Sequence, residues 1–193
     1  MMDLRSLSDL DFDGATVLVR ADLNVPLREG SVADDFRIVA SLPTIEAVRA
    51  AGGRVVVCSH LGRPNGPDPT LSMHPVGARM SKLGDFDVVT AADVGGPDSL
   101  RLVRAGGDSV VLLENTRFDP GETANSPHLA DAFAELADFF VLDAFGSAHR
   151  AHASTVGVAE RLPSAVGLLM AAELHAFQRV VHEPERPFVV VLG

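Results

Sequence analysis

The feature that most constrains this chain is an alternation of short apolar runs with segments of helical spacing. Apolar runs fall at 15–19, 55–58, 86–89, 110–113, 139–142 and 188–192, the composition of strands buried on both faces of a parallel sheet. Between them, residues 36–51, 74–83, 98–104, 127–136 and 168–182 carry apolar side chains at helical intervals. Strand, helix, strand in repetition predicts an α/β fold: a doubly wound, mostly parallel six-stranded sheet in a Rossmann-like three-layer arrangement. Pro43 inside the first helical segment predicts a break and restart there, and Gly52-Gly53 predicts its end. Two prolines and three charges at 182–187 read as a hinge or domain boundary.

Right-handed crossovers bring the carboxyl ends of parallel strands to one edge, and ligands bind beyond that edge. The informative loops are therefore those that follow strands. The first supplies Asp22 and Asn24, the second His60 and Arg63, the fourth Arg117 and the fifth His149 and Arg150. Arg37, at the start of the first helix, joins them where the peptide dipoles also favour an anion. Four arginines at one edge suit a small, multiply charged phosphate or carboxylate, with Asp22 and Asn24 placed to bond a hydroxyl on it. Other residues of these loops read as structural: Arg20 as a brace below the site, Glu114 as a partner for an arginine, Asp143 as a cap on the turn after it, and His152 as packing.

Composition narrows the alternatives. The net charge is −10 over 193 residues, which disfavours a nucleic-acid or anionic-membrane surface and makes any anion site a local cluster. Lys82 is the single lysine among 16 basic residues, so no phosphate-binding loop with the G-x-x-x-x-G-K-[ST] pattern exists. No G-x-G-x-x-G follows the first strand and no G-x-S-x-G elbow is present, which removes support for a dinucleotide site or a serine nucleophile. Cys58 is the only cysteine; it lies in an apolar run and reads as a core residue, with no disulfide or cysteine-based metal site available. A metal held by His60, His149 and His152 is disfavoured by the arginines around them, and no metal is expected. The amino terminus lacks a signal-peptide pattern and no apolar run approaches the roughly 18 residues of a membrane helix, so the expectation is a cytoplasmic protein.

The loops also resemble those of a known family. V-L-V-R-A-D-L-N-V-P at 17–26, D-D-F-R-I at 34–38, S-H-L-G-R-P-N-G at 59–66, L-L-E-N-T-R-F at 112–118 and D-A-F-G-S-A-H-R-A-H-A-S-T-V-G at 143–157 are similar, in order and spacing, to phosphoglycerate kinase. The likeness is weakest before residue 13 and at 90–108. It implies a two-lobed α/β enzyme that transfers the acyl phosphate of 1,3-bisphosphoglycerate to ADP, giving 3-phosphoglycerate and ATP in glycolysis. By the same resemblance Asp22, Asn24, Arg37, His60, Arg63, Arg117 and Arg150 contact 3-phosphoglycerate or 1,3-bisphosphoglycerate, and Arg37 is also catalytic, stabilising the phosphoryl group in transit.

The resemblance further implies that 1–167 form the phosphoglycerate-binding amino-terminal domain. Residues 168–193 then form the interdomain helix and the first strand of a nucleotide-binding domain. The Mg-ATP or Mg-ADP site belongs to that second lobe and none binds to this chain, so the chain alone is expected to be inactive. The family is monomeric, and the 168–182 helix, uncovered here, is expected to promote self-association. The alternative is a free-standing anion-binding module that pairs with a separate nucleotide lobe.

Overall fold

In the computed structural model, which describes residues 4–182 together with Arg186, Val189 and Val191, the centre of the molecule is β1 (Thr16–Ala21). All six of its residues are buried, because strands flank it on both edges and helices cover both faces. β4 (Arg54–Cys58) pairs with it in parallel on one edge, and β7 (Phe139–Asp143) on the other. β6 (Val110–Leu112) and β5 (Val88–Thr90) extend the sheet beyond β4, and β8 (Ser164–Val166) extends it beyond β7. The resulting order is β5-β6-β4-β1-β7-β8, with every pairing parallel. A two-residue hairpin, β2 (Leu27–Arg28) with β3 (Ser31–Val32), lies outside this sheet.

Successive side chains of a strand point to opposite faces, so one sheet feeds two cores. Val17, Val19 and Ala21 of β1 face a cluster containing Ile38, Leu42, Ile45 and Val48 of α1 (Phe36–Ala50) and Val76 and Met80 of α2 (His74–Leu83). Leu18 faces the other cluster, with Leu129 and Phe133 of α4 (Pro127–Glu135) and the partly buried Leu100 and Val103 of α3 (Pro97–Ala105). Cys58 belongs to this second cluster and is fully buried; burial pushes its thiol pKa up to about 12, so it packs as a small hydrophobe. The three-layer α/β prediction therefore holds.

Three local expectations change. α1 runs unbroken through Pro43; the proline removes a donor to the Val39 carbonyl, but Val39 is exposed, so water can replace it. The sixth strand of the sheet is β8, too short to register as an apolar run, while the expected strand at 188–192 lies largely outside the described residues. The loop after β7 is itself folded, into α5 (Phe145–Ala148) and a single π-helical turn at Ala153–Gly157.

α1 ends at the glycine pair as its sequence predicts: Gly52 adopts φ +83° and the Gly52 and Gly53 amides donate to the carbonyls of Arg49 and Val48. α6 (Leu168–His182) begins directly after β8. Its first turn is anchored by Leu168 N donating to Thr44 Oγ1 and Met170 N donating to Asp143 Oδ1. Beyond that turn it is largely exposed, with Phe177, Val180 and Val181 presenting apolar surface. Among the described residues no helix is long and apolar enough to cross a membrane.

Candidate functional site

The loops after β1, β4, β6 and β7 meet because those four strands are neighbours at the middle of the sheet. Cross-links between loops fix their relative positions. Ser59 Oγ accepts from Leu23 N at 2.9 Å, and Asn24 Oδ1 accepts from Gly62 N at 2.8 Å. Asn115, fully buried, accepts from the amides of Leu61 and Arg117 and donates to the carbonyls of Leu61 and Leu71. Glycine suits position 62 for two reasons: its φ is +61°, and a Cβ would approach the Leu71 methyls to 3.0 Å. That turn holds the Gly62 carbonyl where Arg117 Nη1 donates to it at 3.2 Å.

Below these loops lies a buried polar base. Arg20 is 1% exposed, the largest of the fully buried side chains. Its guanidinium donates from Nε to Ser154 Oγ at 2.9 Å and from Nη1 to the Ala21 carbonyl, and Nη2 lies 3.1 Å from His60 Nδ1. Ser154 Oγ in turn donates to Glu122 Oε1 at 2.6 Å, and Glu122 Oε2 accepts from Ser154 N. A buried cation and a buried anion are thus bridged through one hydroxyl, which is how such charges are tolerated away from water. His152 Nδ1 lies 3.6 Å from Glu122. Burial depresses the pKa of that imidazole, and Arg117, Arg150 and Arg20 add to this against the opposing pull of Glu122, so the contact is not an ion pair at neutral pH.

Above the base opens a cavity of about 290 Å³, and all seven predicted site residues line it: Asp22, Asn24, Arg37, His60, Arg63, Arg117 and Arg150. Arg37 pairs with Asp22. The other three arginines have no carboxylate within ion-pair distance among the described residues, and Arg117 Nε is buried without an acceptor. Burial lowers the Arg117 pKa, with repulsion from Arg150 and Arg63 in support. His60 is pushed down to about 3, first by burial and then by Arg20, Arg117, Arg150 and His152. Crowded cations, an unfilled donor and a neutral imidazole describe a pocket suited to a bound anion.

Three lining residues were not anticipated: Gly62, Gly146 and Ser147. The two glycines leave room where the backbone forms the wall, and Ser147, nearly buried in α5, adds a hydroxyl. All three stand inside the motifs, without charge to single them out. His149 does not line the cavity; it accepts from Arg150 Nε at 3.2 Å.

Two structural expectations also change. Glu114 takes no arginine; it accepts from Ser72 Oγ, Met73 N and Asn115 N, tying the post-β4 loop to the post-β6 loop. Asp143 caps α6 rather than the turn after it, and burial raises its pKa. Its Oδ2 is buried without a partner, which suits a carboxyl that holds its proton more tightly than usual.

A second, larger cavity of about 820 Å³ lies farther along the same edge, between the loops after β4, β5 and β6. Asp68, Asp93, Glu114 and Asp119 line it and no lysine or arginine does. These carboxylates already accept from neighbouring amides, so an anion would meet mainly negative charge there.

Comparison with known proteins decides the lineage. The phosphoglycerate kinase family model matches residues 7–193. The chain belongs to the phosphoglycerate kinase family. It is 50% identical over its whole length to the phosphoglycerate kinase of Rubrobacter xylanophilus and 49% identical, over 98% of its length, to that of Thermus thermophilus. It covers 49% of each of those proteins, so the chain spans about half the length of the curated relatives it matches. Among solved structures, the phosphoglycerate kinase of Coxiella burnetii superposes with a TM-score of 0.82 at 37% identity, and that of Pyrococcus horikoshii with 0.86 at 30%. Each match covers 95% of this chain and just under half of the other, 46% and 47%. Phosphoglycerate kinases are transferases that use a magnesium-bound nucleotide. The arginine cavity, at about 290 Å³, is the smaller of the two and gathers the positive charge, while carboxylates line the larger one.

Proposed function

We propose that this chain supplies the phosphoglycerate-binding half of a phosphoglycerate kinase, the enzyme that moves the acyl phosphate of 1,3-bisphosphoglycerate to ADP. The observation that carries the reading is the convergence of Arg63, Arg117 and Arg150, none paired with a carboxylate among the described residues, on a cavity that also holds Asp22, Asn24, Arg37 and His60. Guanidinium groups bind phosphate and carboxylate oxygens through paired N–H donors, so these three arginines anchor the ends of the acid. Asp22 and Asn24 are the hydrogen-bonding partners for its hydroxyl. Arg37, half exposed at the first turn of α1, neutralises the charge of the acyl phosphate at the cavity mouth. Phosphoryl transfer depends on such positioning and charge neutralisation more than on covalent help.

The division into lobes belongs to the same proposal: 1–167 bind the acid, and the exposed apolar face of α6 packs against a nucleotide-binding lobe in the complete enzyme. The 193 residues on their own are then a binding unit without turnover, in a cytoplasmic enzyme of glycolysis.

The test is a calorimetric titration of the chain with 3-phosphoglycerate, with Mg-ATP as the comparison ligand and with the Arg63→Ala variant. Binding of 3-phosphoglycerate that the variant loses, with no heat from Mg-ATP, is expected. A folded chain that binds neither ligand overturns the reading.

A further inference from the structure

The contact between Arg20 and His60 fixes more than a distance. Arginine has five N–H donors and no acceptor, so the 3.1 Å contact from Nη2 can be a hydrogen bond only if His60 Nδ1 accepts. Arg20 itself cannot turn away: it is fully buried, its Nε is committed to Ser154, and Ser154 is committed to Glu122. An accepting Nδ1 leaves a neutral ring with its proton on Nε2. Nε2 has no hydrogen-bond partner among the described residues, and the ring lines the arginine cavity.

We propose that Arg20 is a positioning residue that holds His60 as the neutral Nε2–H tautomer, so that the imidazole offers the bound anion a fixed hydrogen-bond donor. It then serves neither as a proton acceptor nor as a cation. The NMR arm of the test below rests on the protein alone; only the ligand arm rests on the phosphoglycerate reading.

The cations around the ring agree, and Asp22, the carboxylate lining the same cavity, is already paired with Arg37. Arg20 faces the ring from β1, Arg117 from the loop after β6, and Arg150 and His152 from the loop after β7, while Asp22, Arg37 and Arg63 share the cavity. Protonating His60 would set an Nδ1–H against the Arg20 N–H and add a fifth positive group to the four cavity arginines. Burial works in the same direction, and together these hold the imidazole pKa near 3. The site's positive charge is therefore constant across physiological pH, because arginines alone supply it. The tautomer of a ligand-binding histidine is set by what its other nitrogen bonds; here a buried cation sets it.

The deciding measurement is a long-range proton–nitrogen NMR spectrum of the histidine-labelled chain from pH 5 to 8. The expected result is a His60 signal with protonated Nε2, unprotonated Nδ1 and no shift over the range. A His60 protonated on Nδ1, or one that titrates with a midpoint near 6.5, overturns the proposal. Arg20→Gln removes the obligate donor facing Nδ1 and is expected to mix the tautomers; should this variant fail to fold, the spectrum of the unmodified chain decides alone.

In the ligand arm, His60→Gln retains a donor near the Nε2 position and His60→Phe removes it. The second is expected to weaken 3-phosphoglycerate binding about tenfold more than the first. Absence of any 3-phosphoglycerate binding alongside the locked tautomer would sink the functional reading and leave this one standing. Binding by a chain whose His60 titrates would do the reverse.

Discussion

The base of the site and its rim are built from the same kinds of residue and treated oppositely by the fold. In the base, Arg20, Asn115, Glu122 and Ser154 are buried and answered: every charge has a bridged counter-charge, and Asn115 bonds three segments of backbone. In the rim, Arg63, Arg117 and Arg150 have no carboxylate partner among the described residues, and one of Arg117's donors has no acceptor at all. Burial with full satisfaction makes a rigid platform; partial exposure without it leaves charge for a ligand to complete. The difference teaches that an arginine's role here is decided by whether the protein has already used its hydrogen bonds.

The sharpest way to break this contrast is to strike the base. Glu122→Ala leaves Arg20 buried without its counter-charge and is expected to cost about 3–5 kcal/mol of stability in urea denaturation. A loss below about 1 kcal/mol would mean that water already reaches the network. Asn115→Ala strips partners from the backbone of Leu61, Leu71 and Arg117 and is expected to cost about 2–3 kcal/mol in the same assay.

Rim substitutions should behave in the opposite sense. Arg63→Ala is expected to leave the denaturation midpoint within about 0.5 kcal/mol of the parent. It should nevertheless weaken 3-phosphoglycerate binding by ten- to a hundredfold, the equivalent of about 1.5–3 kcal/mol for a charge-assisted bond. Equal losses of stability and affinity would erase the distinction between base and rim.

Acid offers a finer probe. His60 has a pKa near 3 in the folded chain against 6.5 for a free imidazole. As pH falls, the unfolded chain therefore takes up a proton that the folded chain refuses. The contribution of His60 to stability is whole above about pH 6.5 and drains away as pH falls toward 3. His60→Gln should flatten that segment of the stability curve. The smallest effect concerns α6, where Phe177→Glu should reduce concentration-dependent self-association in sedimentation without altering affinity for the acid. A parent chain that stays monomeric at every concentration would remove the basis for that step.

Much of this was legible in the sequence because it follows from periodicity and strand order. The runs at 55–58, 110–113 and 139–142 mark strands within a residue or so, and once the sheet is parallel the loops bearing Asp22, His60, Arg117 and Arg150 have only one edge to share. What escaped depended on contacts between distant segments. Arg20 reads as a brace below the site and is one, but the partners that make it so, Ser154 and Glu122, lie far along the chain and carry no local signal. Glu114 looked like an arginine's partner because charge suggests charge, yet backbone amides reached it first. β8 is three residues long and owes its strand geometry to the free edge of β7, and Pro43 stays within α1 because tertiary packing on the next turns outweighs one lost hydrogen bond.

The central place of β1 also has a consequence in time. Its neighbour on one edge, β4, is made soon after it, but β7 pairs Val17 with Phe139, and at about 5–20 residues per second that partner emerges on the order of ten seconds later. A nascent chain therefore carries a largely apolar strand with one open edge for that interval, the kind of surface that recruits foreign strands. Arg150 is the last of the cavity residues to be made, so the anion pocket cannot exist until the segment after β7 has emerged.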